Sequence, residues 1–466
     1  MKFIGRTRQL QQLEKELSAD GMRFALIYGR RRVGKSELVK QSLRNCQKRS
    51  IYYECRQVSE SSNVSGICDI ISETLNLPRL GYTSIDDLLE YLFKMSLDEE
   101  LVLVLDEYPY LRENIRGLDS ILQSNIDKYR DTSRLKLIIL GSYVDTMKSL
   151  LEHSNPLYGR VDLVINLQQM DYFESSLFYP NYTPEDKVRI YSVFGGIPYY
   201  NRLIDDSKSV RENIIDLVTA SGARLENEVT MYLNSEIRKI SNANEVIMAL
   251  AHGYSRFSDI MSQSHVSSGP TLIDVLNKLI LMEVVEKTAP INDENNKKKA
   301  GYYICDNLSL FYYRYIFRYS SQQKIMSSAA FYDRYIDRNF EEDFVPHRFE
   351  NICKQYLIRQ NRLGLIDPIV EKIGKYYYDD PVNHTNGEFD LVTLDEKGYV
   401  FYEVKFRRQK VTRSVIEKEI EQIKATDLQP YKTVFISRSG FEVQPEDTVE
   451  FLELKDLFLE NSAVQK

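Results

Sequence analysis

The segment FALIYGRRRVGKSELVK (24–40) constrains the fold more than any other part of this 466-residue sequence. An apolar run is followed by a loop that fits GxxxxGK[ST], and a helical pattern follows the loop. In such a unit, a buried strand ends in a loop whose backbone N–H groups surround phosphate oxygens. The next helix points its positive amino end at the same phosphates. The segment therefore predicts a phosphate-binding loop (P-loop) in an α/β fold.

The loop residues have separate predicted roles in binding ATP and Mg²⁺. Lys35 would reach the β and γ phosphates, and Ser36 would be a ligand of Mg²⁺. A chance glycine-rich turn is the alternative, and the flanking strand and helix argue against it. The predicted nucleotide-binding residues are Gly29, Arg30, Arg31, Arg32, Val33, Gly34, Lys35, Ser36, Glu37 and Ser142.

The apolar run LVLVLDEYPYL (101–111) predicts a central parallel strand, because such strands are covered on both faces. It ends in Asp106 and Glu107. Asp106 would hold Mg²⁺ through water, and Glu107 would orient or deprotonate the attacking water. This pair, about 70 residues after the P-loop, predicts ATP hydrolysis rather than binding alone.

A third apolar run, LKLIILGSYVDTM (135–147), places Ser142 at the end of a strand. Ligands of open α/β sheets bind at the carboxyl edge. Ser142 would therefore contact the γ-phosphate, or it would simply belong to the turn after the strand. The sequence leaves both interpretations open.

These segments, together with FIGRTRQLQQLEKEL, NPLYGR (155–160) and FGGIPYY (194–200), resemble a prokaryotic, archaeal-ATPase-like family of AAA+-type ATPases. Its members combine a P-loop ATPase with a winged helix and a C-terminal restriction-endonuclease-like domain. The resemblance implies that Gly5 and Arg6 open the segment near the adenine and that Arg160 stabilises the transferred phosphate. If Arg160 acts in trans, the protein must form a homo-oligomer. A solvated or surface ion-paired arginine is the alternative.

The resemblance also implies the fold class, which is α/β. We expect a parallel P-loop ATPase sheet with a helical lid, then a winged helix, then an α/β restriction-endonuclease-like PD-(D/E)xK domain. The predicted boundaries are 1–170 for the ATPase core, 171–240 for the lid, 241–318 for the winged helix and 335–466 for the C-terminal domain.

The predicted winged helix carries few positively charged residues that could contact nucleic acid. Its recognition helix, PTLIDVLNKL, carries only Lys278 as a cation, and its wing tip carries Lys297, Lys298 and Lys299, which could reach phosphates. DNA contact and a structural role both stay open for this segment.

The segment GEFDLVTLDEKGYVFYEVKFR (387–407) predicts two strands joined by a tight turn. Residues two apart in a strand share a face, so Glu403 and Lys405 point together, and Asp390 lies on the neighbouring strand. Asp390 and Glu403 offer the oxygen ligands that Mg²⁺ prefers. Lys405 would hold or polarise the attacking water. This D-x(n)-ExK pattern is typical of restriction-type nucleases, and an exposed charge pair on an ordinary hairpin is the alternative.

Flanking helices add further candidates to this C-terminal site. The place of Glu350 on the helix 344–361 implies an additional metal contact in such a fold, and Gln422 on the helix after the hairpin falls near the attacking water. Glu388 is an alternative metal ligand, and Lys424 is a weaker alternative to Gln422.

Composition limits the partners and the compartment. The net charge of −7 disfavours a general polyanion binder, so nucleic-acid contact requires a local basic surface such as the run FRRQK (406–410) with Arg413. The five cysteines are scattered and show no CxxC spacing, which is typical of a reducing compartment. No apolar run approaches the ~20 residues of a membrane span, and the first residues lack a signal-peptide core. We therefore expect a cytoplasmic protein without membrane contact.

The sequence thus predicts an ATP- and Mg²⁺-dependent enzyme that acts on DNA, in which the ATPase controls a C-terminal nuclease site. An RNA substrate stays open. The alternative is an ATP-dependent switch or regulator whose winged helix and C-terminal domain bind DNA or protein without cleavage.

Overall fold

The computed structural model describes residues 3–459 apart from 238–239, 297–298, 381–384, 425, 427–429 and 447. Contacts divide the chain into two compact units. The first contains residues up to 170 together with 197–199, and the second contains 171–196 and the chain from 200 onward. Over the described ranges, no helix combines the length and the apolar character needed to cross a membrane.

The first unit alternates strands and helices. Its strands are β1 (Arg23–Tyr28), β2 (Ser50–Glu54), β3 (Leu101–Asp106), β4 (Leu135–Gly141) and β5 (Leu163–Asn166). Its helices are α1 (Thr7–Ser18), α2 (Lys35–Cys46), α3 (Glu60–Leu75), α4 (Ile85–Met95), α5 (Tyr108–Asn114), α6 (Leu118–Tyr129) and α7 (Val144–Ser149).

The strands of the first unit form one parallel sheet in the order β2-β3-β4-β1-β5. Alternate residues of the central strands enter separate apolar cores on the two faces, for example Leu26 on one face and Ile27 on the other. This confirms the predicted parallel α/β sheet. Because the strands are parallel, the ends of β1, β3 and β4 place the P-loop, Asp106 and Ser142 at one edge.

Between residue 171 and the C-terminal sheet, the chain is mostly helical. Its helices are α8 (Tyr172–Ser176), α9 (Pro184–Phe194), α10 (Pro198–Asn201), α11 (Val210–Ile214), α12 (Glu228–Glu236), α13 (Ile240–Ala251), α14 (Phe257–Gln263), α15 (Gly269–Leu281), α16 (Asn307–Tyr315), α17 (Ser320–Ile325), α18 (Ser328–Tyr335) and α19 (Asp337–Asn339). The short strands β6 (Val285–Thr288) and β7 (Gly301–Ile304) pair antiparallel. Three helices followed by a hairpin therefore occupy the region predicted as a winged helix.

The C-terminal part contains α20 (Val345–Arg362) and α21 (Arg413–Lys424) beside a mixed sheet. Its strands are β8 (Lys372–Asp380), β9 (Thr385–Asp395), β10 (Gly398–Lys405), β11 (Lys432–Ser437) and β12 (Val449–Glu453), in the order β12-β11-β10-β9-β8. β8, β9 and β10 pair antiparallel, whereas β10, β11 and β12 pair parallel. The predicted hairpin is present, with Gly398 at a φ of 131° at the start of its second strand.

The loop between β6 and β7 contacts the outer strand of this mixed sheet. Ile291 donates its N–H to the Lys375 carbonyl at 2.8 Å, and the Asn292 amide donates to the Tyr377 carbonyl at 2.7 Å. Lys299 pairs with Asp293 at 3.1 Å and lies 4.4 Å from the Tyr377 ring centroid. These contacts do not favour the predicted phosphate contact of Lys299, while Lys297 and Lys298 lie outside the described residues.

Candidate functional site

The P-loop holds the Lys35 side chain against its own backbone. Lys35 is buried, and its Nζ donates to the carbonyls of Gly29 at 2.9 Å and Arg30 at 3.1 Å. The same Nζ donates to Ser142 Oγ at 2.8 Å. Gly34, with a φ of 98°, lets the chain turn directly into α2. The structure thus joins the predicted phosphate-binding lysine to the serine after β4.

The two predicted Mg²⁺ ligands of this edge are also adjacent. Ser36 donates its hydroxyl to Asp106 Oδ2 at 2.6 Å, and the Glu107 N–H donates to Asp106 Oδ1 at 3.0 Å. A residue that sequence reasoning missed, Tyr52 on β2, donates its hydroxyl to the same Oδ2. Burial and the nearby Asp106 raise the pKa of Tyr52, so its hydroxyl remains a donor. A hydroxyl and a carboxylate here match the oxygen ligands that Mg²⁺ takes beside bound phosphates.

Glu107 is fixed by Ser142. Its Oε1 accepts the Ser142 hydroxyl at 2.5 Å, and its Oε2 accepts the Ser142 N–H at 3.1 Å. Glu107 itself has a left-handed φ of 53°, which turns the chain sharply between β3 and α5. Lys35, Ser142 and Glu107 therefore form a continuous hydrogen-bonded series along the carboxyl edge of the sheet.

The arginines of the P-loop contact other protein groups. Arg31 donates to the Tyr143 hydroxyl at 2.9 Å, and the Arg32 guanidinium lies 4.5 Å from the Tyr199 ring centroid. Arg30 and Val33 are buried, whereas Glu37 is exposed. Nucleotide contacts of this loop would thus come mainly from its backbone.

Arg6 supports the P-loop from the chain segment before α1. Its buried guanidinium donates to the carbonyls of Val33 and Gln168. The predicted proximity of Gly5 and Arg6 to adenine stays a prediction.

Arg160 lies away from this edge. It precedes β5 by three residues, so it sits at the amino edge of a parallel sheet whose carboxyl edge carries Lys35. Its guanidinium makes a two-point ion pair with Asp127, with both distances at 2.7 Å. That pair lowers the pKa of Asp127 and raises the pKa of Arg160. A strand of six residues spans roughly 20 Å, so the structure does not bring Arg160 to the P-loop of its own chain.

Asp390 and Glu403 lie on the neighbouring strands β9 and β10. The pairing of these strands runs as far as Leu391 with Tyr402, and the same register continued by one residue would set Asp390 opposite Glu403. Directly opposed residues of antiparallel strands share a face. The predicted sharing of one face by the two carboxylates is thus consistent with the register.

Each of these carboxylates is paired with a lysine. Lys405 contacts Glu403 and also Glu419 Oε1 on α21, the latter at 3.0 Å. Burial raises the pKa of Glu403, and Lys405 opposes that shift. Lys375 on β8 lies 2.8 Å from Asp390 Oδ1 and 2.7 Å from Glu388 Oε1. Sequence reasoning missed Lys375 and Glu419.

The other predicted members do not complete a metal site. Glu350 Oε1 lies 3.6 Å from His347 Nδ1 and raises the pKa of that imidazole, and Gln422 donates to the Tyr378 hydroxyl at 3.3 Å. Within the described ranges, no three acidic, histidine or cysteine side chains are arranged to hold a metal ion. The donors fit Mg²⁺ in kind, and lysines pair with two of the predicted ligands, Asp390 and Glu403.

The predicted basic run is exposed at the same end of the sheet. The run follows β10 directly. Val411, the next residue after it, donates its N–H to the Gly440 carbonyl in the loop after β11 at 3.0 Å. Arg407, Arg408 and Lys410 are exposed there. The loop thus presents positive charge beside Lys405.

Two segments match known protein families. Residues 3–203 match a family described as an ATPase domain predominantly from Archaea. Residues 3–203 are thus similar to an archaeal-type ATPase domain. Residues 312–423 match a family described as archaeal and bacterial proteins of unknown function. An uncharacterized protein of Methanocaldococcus jannaschii is 27% identical over 409 residues, which is 87% of this chain and 88% of that protein.

The chain is also similar to solved structures. The Walker-type ATPase of Pyrococcus abyssi is 19% identical, with a TM-score of 0.51 over 67% of this chain and 96% of that one. The ORC2 protein of Aeropyrum pernix, solved with ADPNP and ADP, is 13% identical, with a TM-score of 0.47 over 66% of this chain and 93% of that one. The first likeness supports the fold alone.

Proposed function

We propose that this protein hydrolyses ATP with Mg²⁺ at its P-loop and that ATP turnover controls a Mg²⁺-dependent nuclease site that acts on DNA. The hydrogen-bonded series of Lys35, Ser142 and Glu107, beside Ser36 and Asp106, carries the first part. Hydrogen bonds fix the directions of these side chains, and electrostatic catalysis depends on such fixed groups.

In this proposal, each residue at the carboxyl edge of the parallel sheet has a separate role in ATP hydrolysis. Lys35 binds the β and γ phosphates, and Glu107 orients the attacking water while Ser142 fixes the direction of its carboxylate. Ser36 and Asp106 would hold Mg²⁺, which supplies positive charge next to the phosphate oxygens. The P-loop backbone and the amino end of α2 add N–H donors to the phosphates.

The nuclease part rests on the neighbouring strands that carry Asp390 and Glu403 and on the partly buried Lys405 beside Glu403. Lys405 would hold the attacking water and offset charge on the phosphate. A cation at Asp390 would compete with Lys375, because the two residues are ion-paired at 2.8 Å. A change in the loop that contacts β8 at Lys375 is one route by which the rest of the second unit could act on this site.

The intermediate elements complete the proposal. We assign the helices of 171–240 to a lid and α13–α15 with β6 and β7 to a winged helix within 241–318. The chain from 335 to the end would be the restriction-endonuclease-like domain, and a cytoplasmic homo-oligomer would let Arg160 act in trans.

A second function is favoured by a specific observation. Lys375 and Lys405 already neutralise the carboxylates that would bind the metal. This arrangement suits a domain that binds nucleic acid or protein without cutting, under the control of an ATPase switch.

A cleavage assay separates the two functions. Purified protein would be incubated with plasmid and linear DNA in Mg²⁺ or Mn²⁺, with and without ATP, beside Lys35→Ala, Asp390→Asn and Lys405→Ala. We expect cutting that Asp390→Asn and Lys405→Ala abolish while ATP hydrolysis persists. Lys397→Ala, at the opposite end of the β9–β10 hairpin, is the matched control and should cut normally. No cutting above the Asp390→Asn background in any condition would favour the switch.

A further inference from the structure

Tyr52 touches Asp106, one of the two side chains that would bind Mg²⁺ in the ATPase site, at the oxygen that Ser36 also contacts. β2 pairs in parallel with β3, which ends at Asp106, and Tyr52 lies opposite Val104 in that register. The Tyr52 hydroxyl donates to Asp106 Oδ2, the oxygen that also accepts the Ser36 hydroxyl at 2.6 Å. Both hydroxyls therefore meet at one carboxylate oxygen.

The fold sets the position of this hydroxyl. The backbone of Tyr52 is fixed by the ladder to β3, and its ring faces α2, where the Lys40 ammonium lies 5.1 Å from the ring centroid. The side chain is only partly exposed. Tyr52 thus connects β3 and α2, the two elements that carry Asp106 and Ser36.

The two carboxylate oxygens of Asp106 accept hydrogen bonds from different groups. Oδ1 accepts the N–H of Glu107 at 3.0 Å, so Oδ2 is the oxygen shared by the two hydroxyls. A donor on that oxygen limits rotation of the carboxylate. Groups that orient a metal ligand in this way typically change metal affinity by about 10- to 100-fold when they are removed.

We propose that Tyr52 is a positioning residue for Mg²⁺ in the ATPase site, where its hydroxyl orients the Asp106 carboxylate towards the cation. This inference rests on the proposed ATP hydrolysis and adds a residue outside the P-loop and β3 to that site. Tyr52 acts through Asp106 and does not touch the nucleotide.

The test uses Tyr52→Phe in the full-length chain, because this change removes the hydroxyl and keeps the ring. Mg²⁺ would be titrated against protein bound to a fluorescent methylanthraniloyl derivative of ADP, and Mn²⁺ binding would be followed by electron paramagnetic resonance. We expect the half-saturating concentration of either cation to rise about tenfold or more. The affinity for the fluorescent nucleotide in EDTA should equal that of the wild type.

Tyr53→Phe is the matched control. It removes a hydroxyl from the next residue of β2, but the Tyr53 hydroxyl points to the other face and donates to Asn63 Oδ1 at 2.8 Å. This variant should melt at a lower temperature and keep the wild-type cation titration. Ser36→Ala, which removes a proposed ligand, should weaken the cation response and so show that the assay reports this site.

Two results would overturn the proposal while leaving ATP hydrolysis in place. One is a wild-type cation titration for Tyr52→Phe when Ser36→Ala shifts it. The other is an equal loss of nucleotide affinity with EDTA and with Mg²⁺, which would indicate a general distortion of the site. If the wild-type protein shows no cation-dependent nucleotide binding, the proposed function fails, and the role of Tyr52 fails with it.

Discussion

Ser142 binds both oxygens of the Glu107 carboxylate, through its hydroxyl at 2.5 Å and its N–H at 3.1 Å. Since the same hydroxyl accepts a hydrogen bond from Lys35, Ser142 connects Lys35, proposed to bind phosphate, to Glu107, proposed to orient the attacking water. Sequence alone left Ser142 either as a γ-phosphate contact or as part of a turn. The contacts favour a role in the site.

Ser142→Ala should lower the rate of ATP hydrolysis by about 10- to 100-fold, because small displacements of catalytic groups cost that much. Binding of ATP should be nearly unchanged, since Lys35 keeps its contacts with the P-loop carbonyls. Steady-state kinetics and fluorescent nucleotide titration would check both. A faster rate in Ser142→Ala would show instead that Ser142 restrains Glu107, and Glu107→Gln would provide the inactive reference.

Arg160→Ala should leave ATP hydrolysis unchanged in dilute protein, because the arginine lies at the amino edge of its own sheet. If Arg160 acts in trans, the variant should lose only the part of the activity that grows with protein concentration. Specific activity measured over a range of concentrations separates these outcomes. Asp127→Asn breaks the same ion pair but keeps the arginine, so it should retain the concentration-dependent part.

A fall in activity of Arg160→Ala at the lowest concentration would contradict this prediction. Loss of stability is a poor explanation for such a fall, since a partly exposed ion pair contributes only about 0–1 kcal/mol.

Lys405→Ala should destabilise the C-terminal sheet by about 3 kcal/mol near neutral pH, because it leaves two partly buried carboxylates without their shared cation. Burial already raises the pKa of Glu403, and loss of Lys405 raises it further. The folded state then binds a proton more tightly than the unfolded chain. The loss relative to wild type is therefore largest above the folded pKa and shrinks as pH falls towards about 4.

Urea unfolding at neutral and acidic pH would measure this difference. Lys432→Ala is the control, because Lys432 pairs with Glu450 at 2.6 Å on a more exposed surface and should cost less than about 1 kcal/mol. An equal loss for Lys405→Ala at both pH values would show that the effect comes from lost packing.

The combined change Arg407→Ala, Arg408→Ala and Lys410→Ala should weaken binding to duplex DNA. If all three contact phosphates, the slope of log K against log salt should fall by about 3. Fluorescence anisotropy in EDTA measures binding without cutting, so the result is independent of nuclease activity. Lys397→Ala should bind as wild type does, and an unchanged slope in the triple variant would place any DNA contact elsewhere.

The sequence predicted the central strands of the ATPase domain and missed the outer ones for a physical reason. β1, β3 and β4 are covered on both faces and read as continuous apolar runs. The edge strands β2 and β5 are short and expose alternate residues, so their pattern resembles that of a loop. Tyr52 lies on such an edge strand, which is why no motif pointed to it.

In the C-terminal sheet, the period of two in GEFDLVTL and YVFYEVKF predicted the hairpin and the shared face of Asp390 and Glu403. The residue pattern of one strand does not show which side chains from other strands and helices contact Asp390 and Glu403. Lys375 comes from β8, and Glu419 lies almost one helical turn before the predicted Gln422. Such partners depend on tertiary packing, which a single motif does not encode.

The two hydrogen bonds from residues 291–292 to β8 have a practical consequence for dissecting this chain. β8 is the last strand of its sheet, and part of its outer edge is covered by a segment that lies about 80 residues earlier. A fragment that starts near residue 335 would leave those backbone groups open to pairing with another molecule. Uncovered strand edges of this kind promote aggregation. A soluble C-terminal fragment would therefore need to begin before the β6–β7 hairpin.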